Sequence, residues 1–169
     1  MKSRREEAIA YFYEGYNCTQ AVLLAHSDLL GVDTEQILKI CQSFGGGMAR
    51  LREVCGTVSA MFMIAGALTG SSDPKDTEGK KRNYAAVQKL AEDFREKNGS
   101  IICRTLLGLD GTRPDVVAAS YREGSVPEPR TKEYYKKRPC PELIGDACDI
   151  IAANFPDEKT GGELSGAEV

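Results

Sequence analysis

The stretch Val54-Cys55-Gly56-Thr57-Val58-Ser59-Ala60-Met61-Phe62-Met63-Ile64-Ala65-Gly66-Ala67-Leu68-Thr69-Gly70 carries no charged residue. Two environments tolerate such a run: a protein core or a lipid bilayer. A membrane-spanning helix needs about 20 predominantly apolar residues. This run is shorter and is interrupted by Gly56, Thr57, Ser59, Gly66, Thr69 and Gly70. It therefore reads as a buried helix from about Val54 to Leu68, with Val58, Met61, Phe62, Ile64 and Ala65 expected in the core. The fold class that follows is all-α, a compact multi-helix domain around a buried central apolar helix.

Working outward, the flanks show helix after helix and almost no alternation of strand type. Toward the N-terminus, Gly45-Gly46-Gly47 stops a helix that Asp33 and Gln36 open and that carries Ile37, Leu38, Ile40 and Cys41. Before it, Asn17 is placed to cap a helix with Ala21, Val22, Leu24, Ala25 and Leu29, and Gly31 ends that helix. Ser3-x-x-Glu6 has the form of a capping box for a first helix bearing Ala8, Ile9, Phe12 and Tyr13, which Gly15 interrupts.

Toward the C-terminus, Gly70-Ser71-Ser72-Asp73-Pro74 reads as a loop. A charged amphipathic helix follows from about Asp76 to Lys97, with Tyr84, Val87, Leu90, Ala91 and Phe94 on one stripe, closed by Asn98-Gly99. Ser100 can cap a short helix through Cys103 and Leu107. Gly108 to Pro129 is rich in Gly, Pro and Asp, with a helical turn expected at Pro114–Tyr121. Arg130 to Arg138 is basic, with Arg130, Lys132, Lys136, Lys137 and Arg138 against Glu133. Pro141 suits the first turn of a last helix to about Asn154. Residues 1–155 are expected to form one domain and 156–169 a mobile polar tail.

The net charge of −3 lacks the positive field that attracts phosphate backbones, which argues against a nucleic-acid partner. The opening Met1-Lys2-Ser3-Arg4-Arg5-Glu6-Glu7 is not followed by a secretory apolar core, so a cytoplasmic location and no membrane association are expected. In that compartment thiols stay reduced unless they bind metal or turn over. The six cysteines, Cys18, Cys41, Cys55, Cys103, Cys140 and Cys148, thus point to a functional site and not to a disulfide framework. No pair has CxxC spacing, so any site must be assembled by tertiary folding.

Cys18 follows the capping residue Asn17, Cys55 follows the glycine run and opens a helix, and Cys140 precedes Pro141. A helix N-terminus carries about half a positive charge and stabilises a thiolate, so lowered cysteine pKa values are expected there.

These segments together resemble the redox-active proteins named for their C-GCAxxG-C-C cysteine pattern. Gly15-Tyr16-Asn17-Cys18-Thr19-Gln20-Ala21-Val22 is similar to the family's first cysteine segment, and Phe44-Gly45-Gly46-Gly47-Met48 to its glycine-rich turn. Cys55-Gly56-Thr57-Val58-Ser59-Ala60 is similar to the central motif, Cys103-Arg104-Thr105-Leu106-Leu107-Gly108 to the third segment, and Cys140-Pro141-Glu142-Leu143-Ile144 to the fourth. The central motif usually continues Gly-Ala-x-x-Gly after its cysteine. Here Thr57 stands for the alanine and Ala60 for the glycine. The resemblance implies a helical domain with four functional thiols, Cys18, Cys55, Cys103 and Cys140, and a redox role without a stated substrate. Pro-x-Leu-Ile favours Cys140 over Cys148 as the fourth thiol.

Two chemistries share those residues. One is a thiol–disulfide relay or electron transfer with a partner oxidoreductase, in which Cys18 or Cys55 attacks and Cys103 or Cys140 resolves. The other is a metal centre, an iron–sulfur cluster or zinc, held by the same four cysteines. A helical scaffold with incidental thiols, and a homodimer as its assembly, stay open beside them. Cys41 and Cys148 read as small core hydrophobes. His26 reads as a lone structural histidine, and the glycine run as a tight turn before an anion-binding nest. Arg50, Arg52 and Glu53 divide evenly between tuning a thiolate and lining a solvated loop. Tyr134 and Tyr135 read as a packed loop.

Overall fold

The computed structural model describes residues 1–111, 124–136 and 138–156. The helical turn expected at Pro114–Tyr121 and nearly all of the expected tail lie outside them. The helices are α1 (Arg5–Tyr13), α2 (Cys18–Ala25), α3 (Thr34–Cys41), the single distorted turn α4 (Gly45–Met48), α5 (Gly56–Thr69), α6 (Thr77–Asn98), the short α7 (Cys103–Leu106), α8 (Lys132–Lys136) and α9 (Cys140–Asn154). Among the described residues the only strand-like pairing is an isolated antiparallel bridge between Val54 and Ile102. The all-α fold class is what the chain adopts. None of the described helices is long and apolar enough to cross a membrane.

The caps explain where several helices begin. The Asn17 side chain accepts from the backbone N–H groups of Thr19 and Gln20, each at 3.0 Å, and Gln20 Oε1 accepts from the Asn17 N–H. Asp33 accepts from the Gln36 N–H, and Asp76 from the Gly79 N–H at 2.7 Å. Gly99 closes α6 in the left-handed region. The first helix departs from expectation. Its N-cap is Arg4, the return bond from Glu6 is missing, and the Ser3 hydroxyl donates to Asp149 at 2.6 Å. The same hydroxyl oxygen accepts from the Arg5 N–H at 3.3 Å, so a short local turn and a tertiary carboxylate stand in place of the expected box.

That carboxylate belongs to a cluster that pins α1 to α9. Arg5 donates to Asp146 at 2.6 Å and to Asp149 at 2.7 and 3.0 Å, and Lys97 of α6 reaches Asp146 at 2.9 Å. Gly145 lets the Arg5 guanidinium lie against α9, because a Cβ there would sit 2.1 Å from it.

α5 packs against α2, α6 and α9. Residues 56–61 are buried, including Val58, Ala60 and Met61, and so are Ile64 and Ala65. Phe62 and Met63 are half-buried, and Leu68 is exposed. A helix buried all round is thus not what forms, and Phe62 is not the core residue expected. The helix begins at Gly56, two residues later than read, because Val54 is held in the bridge to Ile102. The core is shared with Phe12, Leu23, Leu90, Phe94, Ile144 and Ile151. Ile40 and Tyr84 project outward, since α3 and α6 each bury one narrow face.

Candidate functional site

Each of the four cysteines singled out stands at the start of a helix. Cys18 is the first residue of α2, Cys55 caps α5, Cys103 is the first residue of α7 and Cys140 the first of α9. The fold aims these four ends at one cavity of about 50 Å³, and all four cysteines line it. Cys18, Cys55 and Cys103 are buried, and Cys140 is half-buried. All are free thiols. Cys41 and Cys148 are buried elsewhere in the core, as expected of small hydrophobes.

Backbone bonds set Cys55 and Cys103 side by side. The Cys55 N–H donates to Ile101 O at 2.8 Å, and the Cys103 N–H donates to Glu53 O at 2.6 Å. These two bonds flank the Val54–Ile102 bridge and bind the two helix starts together. Cys18 is brought in by Gly56. A Cβ at that position would lie 2.4 Å from Thr19 Oγ1, 2.6 Å from Cys18 Sγ and 2.7 Å from Phe44 O. Only glycine permits α5 to begin this close to α2.

The glycine run supplies the remaining wall. Gly46, Gly47, Met48, Ala49 and Arg50 are all left-handed, with φ between 50° and 70°, and Arg52 follows at 63°. For residues other than glycine this conformation costs on the order of 1 kcal/mol or more each. The run carries Arg52 into the interior, where its residue is 4% exposed. Gly47 is required there for a second reason. Its Cβ would meet Cys103 Cβ at 2.5 Å.

Above the thiols lies an aromatic and basic layer. Arg130 stands 4.7 Å from the Phe12 ring centroid and 5.0 Å from that of Tyr134, and Arg138 stands 4.6 Å from Tyr134. Tyr135 packs edge-on against Phe12 at 5.6 Å. Glu128 gathers the cations. Arg138 donates to it at 2.7 and 2.8 Å, with Arg50 at 3.5 Å and Arg52 at 3.8 Å. Glu53 pairs instead with Arg104. Arg52 is thereby placed at the cavity, while Glu53 belongs to the surface.

The electrostatics run against the low thiol pKa values expected from the helix starts. Burial, reinforced by the neighbouring Cys18, pushes the Cys103 thiol up to about 11, against a hydrogen bond and charge from Arg52 that pull it down. Burial likewise takes Cys140 to about 12, and Cys55 well above the ordinary thiol range. Desolvation outweighs the helix N-termini here because the sulfurs are removed from water and crowd one another. Cys55, Cys103 and Cys140 are held neutral at physiological pH.

His26 is buried with Nδ1 2.8 Å from Val22 O. A carbonyl only accepts, so Nδ1 carries the proton. It is a core histidine remote from the cavity lining. Among the described residues, no three His, Cys, Asp or Glu side chains are arranged to hold a metal ion.

Thr57, read in the sequence only as a replacement for the motif's alanine, lines the cavity. Thr57 is fully buried and its hydroxyl has no hydrogen-bond partner. Its sequence signal was its place one residue after the Cys55-Gly56 pair, where the motif usually has alanine.

A family model described as "Putative redox-active protein (C_GCAxxG_C_C)" matches residues 16–154. No curated protein and no solved structure matches the chain.

Proposed function

The chain belongs to the C_GCAxxG_C_C family of redox-active proteins, and on that premise we propose that it is a thiol–disulfide redox protein working through Cys18, Cys55, Cys103 and Cys140. The observation that carries this reading is the convergence of four helix starts, each bearing a free cysteine, on one cavity. Thiols so far apart in sequence share a site only if the fold gathers them, and dithiol chemistry requires two sulfurs within bonding reach.

The exchange proceeds in two balanced steps. One protein sulfur attacks a disulfide and forms a mixed disulfide, and the displaced sulfur leaves as a thiol with the attacking thiol's proton. A second protein sulfur then attacks the first. The protein disulfide forms and the second thiol of the oxidant departs. Cys140, the one of the four with part of its surface open, is the entry point for a partner oxidoreductase.

The test is stoichiometric. Reduced full-length protein is titrated with diamide under anaerobic conditions, and peptides are mapped without reduction. The expected product is one disulfide within the four, with Cys41 and Cys148 still reduced. A disulfide forming between molecules, or through Cys41 or Cys148 at the same rate, would overturn the reading.

A further inference from the structure

The cavity also has the lining of a site for a small anion. Among the described residues, every charged side chain in its lining is an arginine: Arg52, Arg130 and Arg138. The N-terminal ends of α2, α5 and α9 meet there as well, and each contributes partial positive charge and N–H groups not used within the helix. The Thr57 hydroxyl is completely buried, lines the cavity and bonds to nothing. A buried hydroxyl without a partner costs free energy unless something satisfies it. About 10–15 Å³ of such space holds one water molecule, so about 50 Å³ holds a species of a few heavy atoms.

We propose that this cavity binds a small oxyanion, which accepts the free hydroxyl proton of Thr57 as a hydrogen bond and is reduced by two electrons by a pair of the lining thiols. The inference rests on the dithiol reading for its second half and is independent of it for the first. Arg52, Arg130 and Arg138 supply the cationic lining, which Glu128 offsets in part through its pairs with Arg138 and Arg52, and Thr57 fixes one of the anion's oxygens. The neutral thiols of Cys55, Cys103 and Cys140 suit such a guest, because thiolates would repel it and could not supply protons. The reaction balances as one oxyanion and two thiols giving an oxyanion with one oxygen fewer, one disulfide and one water. The central atom gains two electrons, each sulfur gives one, and both thiol protons leave on the departing oxygen. A second dithiol protein or a low-molecular-weight thiol restores the reduced state by exchange.

Thr57 is what this chain supplies in place of the alanine of the family motif. Replacing it by valine keeps its shape and removes only an unsatisfied group. Thr57→Val should therefore fold with an unchanged or higher melting temperature.

The experiment has two arms on the reduced full-length chain. Inorganic phosphate and sulfate serve as redox-inert probes by calorimetry. Binding should be measurable for the native protein, weaker by about tenfold or more in Thr57→Val, and weaker still in Arg138→Gln, which checks the cationic wall separately. No binding by either anion, or equal binding in Thr57→Val, overturns the site, as does a purely surface ion response that Arg138→Gln leaves unchanged. The second arm offers arsenate, selenate and nitrate anaerobically. Loss of two thiols per reduced anion, suppressed by excess sulfate, is expected with at least one. Thiols intact with all three overturn the reduction while leaving anion binding standing. Failure of diamide to form a disulfide within the set would instead overturn the dithiol reading.

Discussion

Raising the pH of the reduced protein should expose how strongly burial controls Cys103. Its thiol moves from an ordinary 9.0 to about 11, a displacement that burial causes and that neighbouring Cys18 enlarges. About two pH units correspond to about 2.7 kcal/mol, at about 1.36 kcal/mol per unit. The folded state binds the proton more tightly than the unfolded one. The contribution is therefore fully present below about pH 9 and is lost as pH climbs through about 11. A destabilisation of about 2.7 kcal/mol lowers the melting temperature of a chain this size by about 5–11 °C. Lysines and tyrosines titrate in the same range, so the reference is Cys103→Ser, whose hydroxyl does not ionise there. The difference between the two melting curves isolates the thiol. Residue-by-residue alkylation followed by mass spectrometry supplies the kinetic half. At neutral pH Cys103 should react on the order of a hundredfold more slowly than an unstructured cysteine, since two pH units divide the thiolate fraction by that factor. If Cys103 alkylates at the rate of an unfolded cysteine, or if native protein and Cys103→Ser lose stability in parallel above pH 9, desolvation does not govern the site and the helix N-termini do.

Three further outcomes follow from the packing. Gly56→Ala places a methyl 2.4 Å from Thr19 Oγ1 and 2.6 Å from Cys18 Sγ; overpacking of this kind costs about 1–3 kcal/mol, and denaturant unfolding should show it together with an altered alkylation rate at Cys18. Phe94→Ala, at a site with no exposure, should cost about 3–5 kcal/mol; Phe62→Ala, at a half-buried site, should cost clearly less in the same assay, and equal losses would show that α5 is buried all round after all. His26, whose pKa burial lowers from 6.5, is neutral in the folded core; its contribution is present above about pH 6.5 and is lost as pH falls through the lower folded value, so thermal melts of native protein and His26→Gln should converge on acidification.

The sequence was most legible where the chemistry is local. Asn17, Asp33 and Gly99 cap or close helices where their side chains and backbone freedom predict, because capping involves residues only a few positions apart. It was least legible where distant segments decide. Ser3 has a local box available and takes Asp149 instead. Phe62 lies in the most apolar run of the chain and still reaches the protein's edge, since nothing in a run without charge says which side faces a neighbour. For the site, the family pattern named four cysteines and the local sequence put Cys18, Cys55 and Cys140 at helix starts; Cys103, expected inside a helix opened by Ser100, turns out to begin α7. The sign of their pKa shifts did not follow, because a helix N-terminus is visible in one segment whereas desolvation depends on everything packed around it. Thr57 reads as a small conservative change until its hydroxyl is seen lining the cavity without a partner.

The wide spacing of the four cysteines along the chain couples their oxidation state to the entropy of the unfolded protein. A bond between Cys18 and Cys55 would close a loop of about 40 residues, and one between Cys18 and Cys140 a loop of about 120. By loop-closure statistics these links disfavour the unfolded ensemble by about 4 and 5 kcal/mol, before any native strain. Such amounts raise the melting temperature by about 8–20 °C at this chain length. Each turn of a redox cycle would thus alternately tether and release most of the polypeptide. The reduced molecule would be the form most open to proteolysis, and a limited digest under reducing and oxidising conditions would read the state of the cavity from the survival of the whole chain.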